Sequence, residues 1–177
     1  MVGYKNYEDA YPINSVVITA TNTAPAFSGT WELIDKGFAH LYVNTATGYF
    51  TANSTNITSV TNFVAIRSPR HLFFRLVVVP KVAITDATIE FGTLNLSALG
   101  YNGSLQTYCT GYSDGGNGIA QMAITATGVV QSLDVLAKAD NGTIPAGQTI
   151  NISAEIPITV ANMLNSACDK FYWKRTA

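Results

Sequence analysis

Hydrophobic and polar residues alternate with a period near two along most of the chain, or form short β-branched runs. Both patterns are typical of strands, and turn residues separate them at short intervals. The predicted strands are Ser15–Ala20, His40–Val43, Gly48–Thr51, Val60–Ile66, Leu72–Val79, Thr88–Leu94, Leu105–Tyr112, Ile119–Ala126, Val129–Ala137, Thr149–Ile156, Ile158–Val160 and Phe171–Lys174. We therefore predict an all-β fold, a β-sandwich or jelly-roll-like domain.

Several local features refine this prediction. Leu72–Val79 lacks alternation, so we expect a central strand that is buried on both faces. We predict that Asn44–Thr47 is the turn of a hairpin between the strands on either side of it. We predict a second hairpin with its turn at Thr127-Gly128. Helical signals are confined to Ala161–Lys170 and Thr30–Gly37, each with room for little more than one turn.

The length of 177 residues allows one substantial core with an extension. We expect residues 1–38 to form an N-terminal arm, and residues 39–177 to form the sandwich. Charged residues make up 12% of the chain, about half the usual share. Its surface must therefore depend on Thr, Ser and Asn.

Charge argues against nucleic acid as a partner, and the length of the apolar segments argues against membrane insertion. The net charge is −1, and no Lys or Arg occurs between Lys81 and Lys138. A groove that follows phosphates needs several cations on one face, so we expect no nucleic-acid binding. Leu72–Val79 is too short to cross a bilayer, and no apolar leader follows Met1–Asp9. We expect a soluble protein made in the cytoplasm, with no membrane insertion.

A recognisable order of residues lies in Tyr11–Phe38, which reads YPINSVVITATNTAPAFSGTWELIDKGF. It resembles a module of tail-fibre, baseplate and collar proteins of tailed bacteriophages. That pattern is roughly Tyr-Pro-Val-Gly-Ser-Ile-Tyr, then Thr-Asn-Pro, then Phe-Gly-Gly-Thr-Trp-Glu and a closing Gly-Arg-Phe. The chain differs at Asn14 and Ser28, where the pattern has glycine, and at Lys36-Gly37, where it has Gly-Arg. The resemblance covers 28 of the 177 residues.

The resemblance implies a virion protein whose N-terminal module docks it or makes it trimeric. The residues that would carry this role are Tyr11, Pro12, Phe27, Gly29, Trp31, Glu32 and Phe38. Trp31 has two interpretations. It is either a core anchor whose indole N–H meets a carbonyl, or a contact with a neighbouring subunit or virion component.

Oligomerisation is also suggested by Gly37–Ile66, thirty residues without Asp, Glu, Lys or Arg. Isolated domains normally protect strand edges with charge, especially Lys. Either neighbouring subunits cover these strands or they form a flat surface exposed by design. We favour a homotrimer, which would hide such edges by symmetry, and the resemblance implies the same.

Candidate chemistry is sparse. His40 and His71 lie in no arrangement with a nucleophile and an acid, and the acids are scattered, so we predict no catalytic residues, metal or cofactor. Cys109 and Cys168 lack metal or redox spacing and read as small hydrophobic residues. A polysaccharide depolymerase is the enzymatic alternative, but it needs paired carboxylates that no spacing here indicates.

A glycan-binding site is the strongest recognition hypothesis. Its candidate residues are Tyr101, Asn102, Tyr112, Asp114 and Asn117, in and beside two glycine-containing loops. An aromatic ring can stack on the CH face of a sugar while amides and carboxylates bind its hydroxyls. The alternative is that the tyrosines pack at the rim of the sandwich with their hydroxyls in water.

Together these features predict a non-enzymatic structural protein of a tailed-phage particle, in the tail fibre or baseplate tip. Its partners would be itself, other virion proteins and a host-surface glycan. Two alternatives remain open: a carbohydrate-binding module, and a capsid decoration or head-fibre protein. The location of the protein in the particle would distinguish a capsid decoration or head-fibre protein from a tail-fibre or baseplate protein.

Overall fold

The computed structural model describes residues 11–37, 41–102, 106–114, 118–138, 143–164, 168 and 170–177. These residues form twelve strands and one 3₁₀ turn, Val160–Asn162. The strands are β1 (Val16–Thr19), β2 (Trp31–Gly37), β3 (Leu41–Val43), β4 (Phe50–Ala52), β5 (Ile57–Arg67), β6 (His71–Pro80), β7 (Ile89–Leu94), β8 (Thr107–Ser113), β9 (Gly118–Ile124), β10 (Val129–Lys138), β11 (Ile150–Pro157) and β12 (Lys170–Arg175). None of the described segments is a helix with the length and hydrophobicity needed to cross a bilayer.

Nine strands form one antiparallel sheet in the order β3-β5-β6-β11-β8-β9-β10-β7-β4. This sheet curls until strands near its opposite edges meet. Phe50 of the edge strand β4 stacks on Phe63 of β5, with ring centroids 6.3 Å apart. One curled sheet therefore supplies both layers around the core, and the prediction of an all-β, sandwich-like fold is confirmed.

Strict alternation of inward-facing and outward-facing residues determines which side chains form the core. In β11, Ile150, Ile152, Ala154 and Ile156 are buried, while the intervening residues point outward. Burying each of the larger side chains contributes about 1.5–3 kcal/mol. On the outer face of the neighbouring strands, Thr, Ser, Asn and Tyr side chains lie beside charged residues and beside the exposed Ile66 and Phe73.

The predicted hairpin around Asn44–Thr47 is wrong. β3 pairs with β5, and β4 pairs with β7, so the two strands lie at opposite edges of the sheet. A short connection suffices because the curling brings those edges together. The prediction for Thr127-Gly128 is confirmed, since β9 and β10 pair on either side of it and Gly128 takes the positive φ of 86° that this turn needs.

β6 is an interior strand, but only part of it is buried on both faces. His71 to Arg75 alternate between exposed and buried positions, and Leu76 to Val78 are all buried. The predicted strand Ile158–Val160 is absent. The Ile158 N–H still donates to Arg70 O at 2.6 Å in the register of β11 and β6, but the 3₁₀ turn begins at Val160 and ends the extended conformation. The helical signal in Thr30–Gly37 is also wrong, because β2 occupies it.

β1 and β2 form a separate three-stranded sheet, the small sheet, in which β12 lies between them. β12 comes from the end of the chain, so the strands of residues 1–38 are joined by residues outside that range. Two contacts fasten the small sheet to the nine-stranded head. The Lys36 ammonium is buried and donates to Met163 O at 2.9 Å, and Arg70 pairs with Asp35 at 2.7 Å.

Candidate functional site

Three aromatic residues of the predicted docking module form one cluster. The rings of Tyr11 and Phe27 stack with centroids 4.4 Å apart, and Trp31 meets the Tyr11 ring edge-on at 6.2 Å. The Trp31 indole N–H donates to Phe27 O at 3.3 Å. Trp31 therefore makes the contacts of an internal anchor within its own chain, although its side chain is only half-buried.

Arg175 of β12 lies beneath this cluster. Its side chain is buried, and its guanidinium donates to the main-chain carbonyls of Tyr11 and Ala177. Gly29 sits against it with φ of 119°, and a Cβ there would meet the Arg175 side chain and lie 2.6 Å from Ala177 O. The close approach of arginine and backbone explains why glycine occupies this position.

The opposite face of the small sheet carries exposed aliphatic side chains beside charged ones, since Val16 lies in one row with Lys174 and Glu32. Val16 and Ile18 of β1 and Ile34 of β2 are exposed on it. Pro12 and Glu32 are also exposed, and Phe38 lies outside the described residues.

The glycan candidates separate into two places. These places lie near opposite ends of β8. At one end, Thr107 pairs with Ile124, close to the turn that leads to β10, and at the other end Tyr112 pairs with Ile119. Five residues of strand span roughly 17 Å. Tyr101 and Asn102 belong to the first end, Tyr112 and Asp114 to the second, and Asn117 lies outside the described residues.

Tyr101 is a core residue. It is 2% exposed, and it forms an isolated bridge with Met163. It lines the floor of an open hollow of about 470 Å³ whose other residues are uncharged: Thr51, Thr93, Leu94, Asn95, Leu96, Ser97, Asn102, Ala126 and Thr127. A ring that is buried to this extent cannot stack on a surface ligand, so this placement differs from the role predicted for Tyr101.

Tyr112 and Asp114 lie together, and the fold adds two residues to them. Asn151 of β11 is the cross-strand partner of Tyr112. Its side-chain carbonyl accepts from Arg75 at 2.8 Å, and its amide donates to Asp114 at 2.7 Å. An exposed aromatic ring thus stands beside a fixed set of hydrogen-bonding groups, which is what sugar recognition needs.

These residues belong to an outer surface that we call the tyrosine face. It comprises Tyr108, Thr110 and Tyr112 of β8, Asn151 and Ser153 of β11, Arg75 of β6, and Asp114. Sequence reasoning missed Arg75, Asn151 and Ser153. Alternation along β8 places Tyr108 and Tyr112 on one face, but only the pairing of β11 with both β6 and β8 brings the other three residues to it.

Two buried titratable groups have shifted pKa values. Burial lowers the pKa of Arg67 to about 10, against an opposing effect of the Cys168 thiolate. Burial raises the pKa of the Cys109 thiol to about 11. Both cysteines are partly buried and pack against the core. Within the described ranges, no three His, Cys, Asp or Glu side chains come together as metal ligands.

Comparisons of the sequence with known protein families and with curated proteins give no match.

Replacement of Gly29 by Ala is expected to open the small sheet. The added Cβ collides with Arg175 and with Ala177 O, and φ is unfavourable, so we expect a loss above about 2 kcal/mol. Both tryptophans, Trp31 and Trp173, lie in the small sheet, so their fluorescence reports its unfolding in denaturant separately from far-UV circular dichroism.

Gly147→Ala is the matched control, because Gly147 has φ of 82° with nothing within 4 Å of the added Cβ. It should cost only about 1 kcal/mol. Equal losses for the two variants would contradict the contact with Arg175.

Tyr101→Phe is expected to keep or slightly raise stability. The Tyr101 hydroxyl is buried, and among the described residues it has no hydrogen-bond partner. Removing it relieves a desolvation cost of about 1 kcal/mol, whereas Tyr101→Ala should lose about 3–5 kcal/mol. A clear fall in the free energy of unfolding for Tyr101→Phe would show that the hydroxyl is satisfied.

Proposed function

We propose that the protein is a non-enzymatic structural component of a tailed-phage particle, in the tail fibre or baseplate tip. The small sheet would dock the chain, and the curled head would be displayed. The observation that carries this proposal is the exposure of three aliphatic side chains, Val16, Ile18 and Ile34, on the segment that resembles the phage module. A docking surface needs this combination of exposure and internal rigidity.

The backbone of the module supports the resemblance. Asn14 has φ of 71°, in the left-handed region, and the phage pattern has glycine at this position. Asn is among the few residues that tolerate this region, because its short polar side chain can bond locally. The difference in sequence is therefore compatible with the same turn.

The position of the uncharged stretch Gly37–Ile66 supports a homotrimer. This stretch contains β3 and β4, the two edge strands of the nine-stranded sheet. Each has only three residues, which limits the open backbone, but neither carries the Lys or Glu that usually protects an edge. Coverage by sister chains would remove the exposed edges.

We further propose that the head recognises a host-surface glycan, with Tyr112 and Asp114 in the binding site. The Asn151 amide donates to the Asp114 carboxylate at 2.7 Å, which holds this carboxylate beside the Tyr112 ring. This arrangement suits the binding of sugar hydroxyl groups. It also fits the second candidate function, a carbohydrate-binding module outside any virion.

The proposal predicts a particle-associated trimer. Light scattering coupled to size exclusion should give three times the chain mass of 18.9 kDa. Labelled protein should be seen at the tail of assembled particles by electron microscopy. A monomer would contradict the trimer, and a label on the capsid would favour the decoration or head-fibre alternative.

Ile18→Lys is expected to abolish incorporation into particles while leaving the fold intact, because it replaces the most exposed of the three aliphatic side chains with a charge. Leu136→Lys on β10 is the matched control, since Ile18 and Leu136 are 56% and 57% exposed. Quantitative blotting of purified particles measures both variants. Equal incorporation of the two would exclude this face as the docking surface.

A further inference from the structure

The tyrosine face carries two exposed aromatic rings on one strand. Tyr108 and Tyr112 are 60% and 55% exposed and lie on the same side of β8. Their separation of four residues corresponds to about 13 Å along the strand. This distance is longer than a single pyranose ring, so one sugar cannot stack on both tyrosines.

Hydrogen-bonding groups accompany the rings. Asn151 lies across from Tyr112, and Ser153 lies across from Thr110, midway between the two tyrosines. Arg75 and Asp114 hold the Asn151 carboxamide from both sides at 2.8 and 2.7 Å. Each of these side chains has more hydrogen-bonding capacity than this network uses, so hydroxyls of a ligand can be added to it without breaking it.

The charges on and beside this face indicate whether a bound polymer would be charged or neutral. Arg75 and Asp114 are the charged residues of the tyrosine face itself. Two acids flank it: Asp134 lies in the row of Thr110, and Glu155 follows Ser153 on the outer side of β11, 3.6 Å from His71. An anionic ligand would meet more negative than positive charge, which is unfavourable. A flat face that combines aromatic rings with neutral polar groups instead suits an uncharged polymer of sugars.

We propose that the tyrosine face binds the interior of a linear, uncharged polysaccharide that lies along β8. Sugar rings would stack on Tyr108 and Tyr112, while Asn151 and Asp114 bind hydroxyl groups near Tyr112. The inference rests on the recognition role proposed for the head and defines its ligand class. It is independent of the particle to which the chain belongs.

The first measurement is electrophoresis of the full chain in native gels that contain soluble β-glucan, mannan, galactan or arabinoxylan, with alginate as the anionic contrast. At least one neutral polymer should retard the protein, and alginate should not. Calorimetry with oligosaccharides of that polymer should show affinity rising with length to about four units, because about 13 Å separates the rings. A monosaccharide that binds as tightly as the longer chains would overturn the proposal, as would retardation by alginate alone or by no polymer.

Variants identify the residues involved. Tyr108→Ala and Tyr112→Ala should each weaken binding of the long oligosaccharide about tenfold, because each removes one stacking surface. Tyr112→Phe should retain binding, since the ring remains. Asn151→Ala should weaken binding without changing its dependence on chain length. Thermal unfolding of each variant verifies the fold.

Tyr42→Ala is the matched control. Tyr42 is 64% exposed on β3, at the far edge of the same sheet and away from the tyrosine face. An equal loss of affinity in this variant would contradict the assignment. Particle labelling keeps the two proposals apart: a tail-located protein that binds none of these polymers refutes only this inference, and a binder absent from particles refutes only the virion assignment.

Discussion

The insertion of β12 between β1 and β2 is the constraint on which the architecture depends. In the described structure, β1 and β2 pair with β12 and not with each other. Residues 11–37 therefore become a sheet only when β12 has been inserted between β1 and β2. Trp173 of β12 donates to Thr19 of β1 across 154 positions of sequence, at 2.9 Å. Closing so long a loop is entropically costly and slows folding, and the buried Arg175 side chain with its carbonyl partners helps to offset that cost.

Charged residues are scarce in this protein, and some of them are buried. The chain has ten Lys and Arg residues, and Lys36, Arg67 and Arg175 are buried. Lys36 and Arg175 donate to main-chain carbonyls, so they join segments of backbone instead of keeping the surface hydrated. The outer face then depends on hydroxyl and amide groups for its contact with water. Such a surface is suited to neutral ligands that make the same kinds of hydrogen bond.

Sequence periodicity predicted most strands because alternation is a local property. It predicted β11 and the β9–β10 hairpin well, since burial pattern and turn residues agree there. It failed where a long-range property decides the result. Nothing local indicates that β3 and β4 belong to opposite edges of a curled sheet, or that β11 lies between β6 and β8. For the same reason Tyr112 and Asp114 could be proposed from sequence, whereas Asn151 and Arg75 could not, and Tyr101 could not be recognised as a core residue.

The connection between the small sheet and the head has a mechanical consequence. The chain crosses between them twice, once after β2 and once before β12. Lys36 beside the first crossing and Met163 before the second are joined by a hydrogen bond of 2.9 Å. A body held by one linker can swivel about it, but a body held by two neighbouring linkers resists torsion. The orientation of the small sheet relative to the head is therefore restrained by its neighbouring contacts, which limit rotation of one about the other.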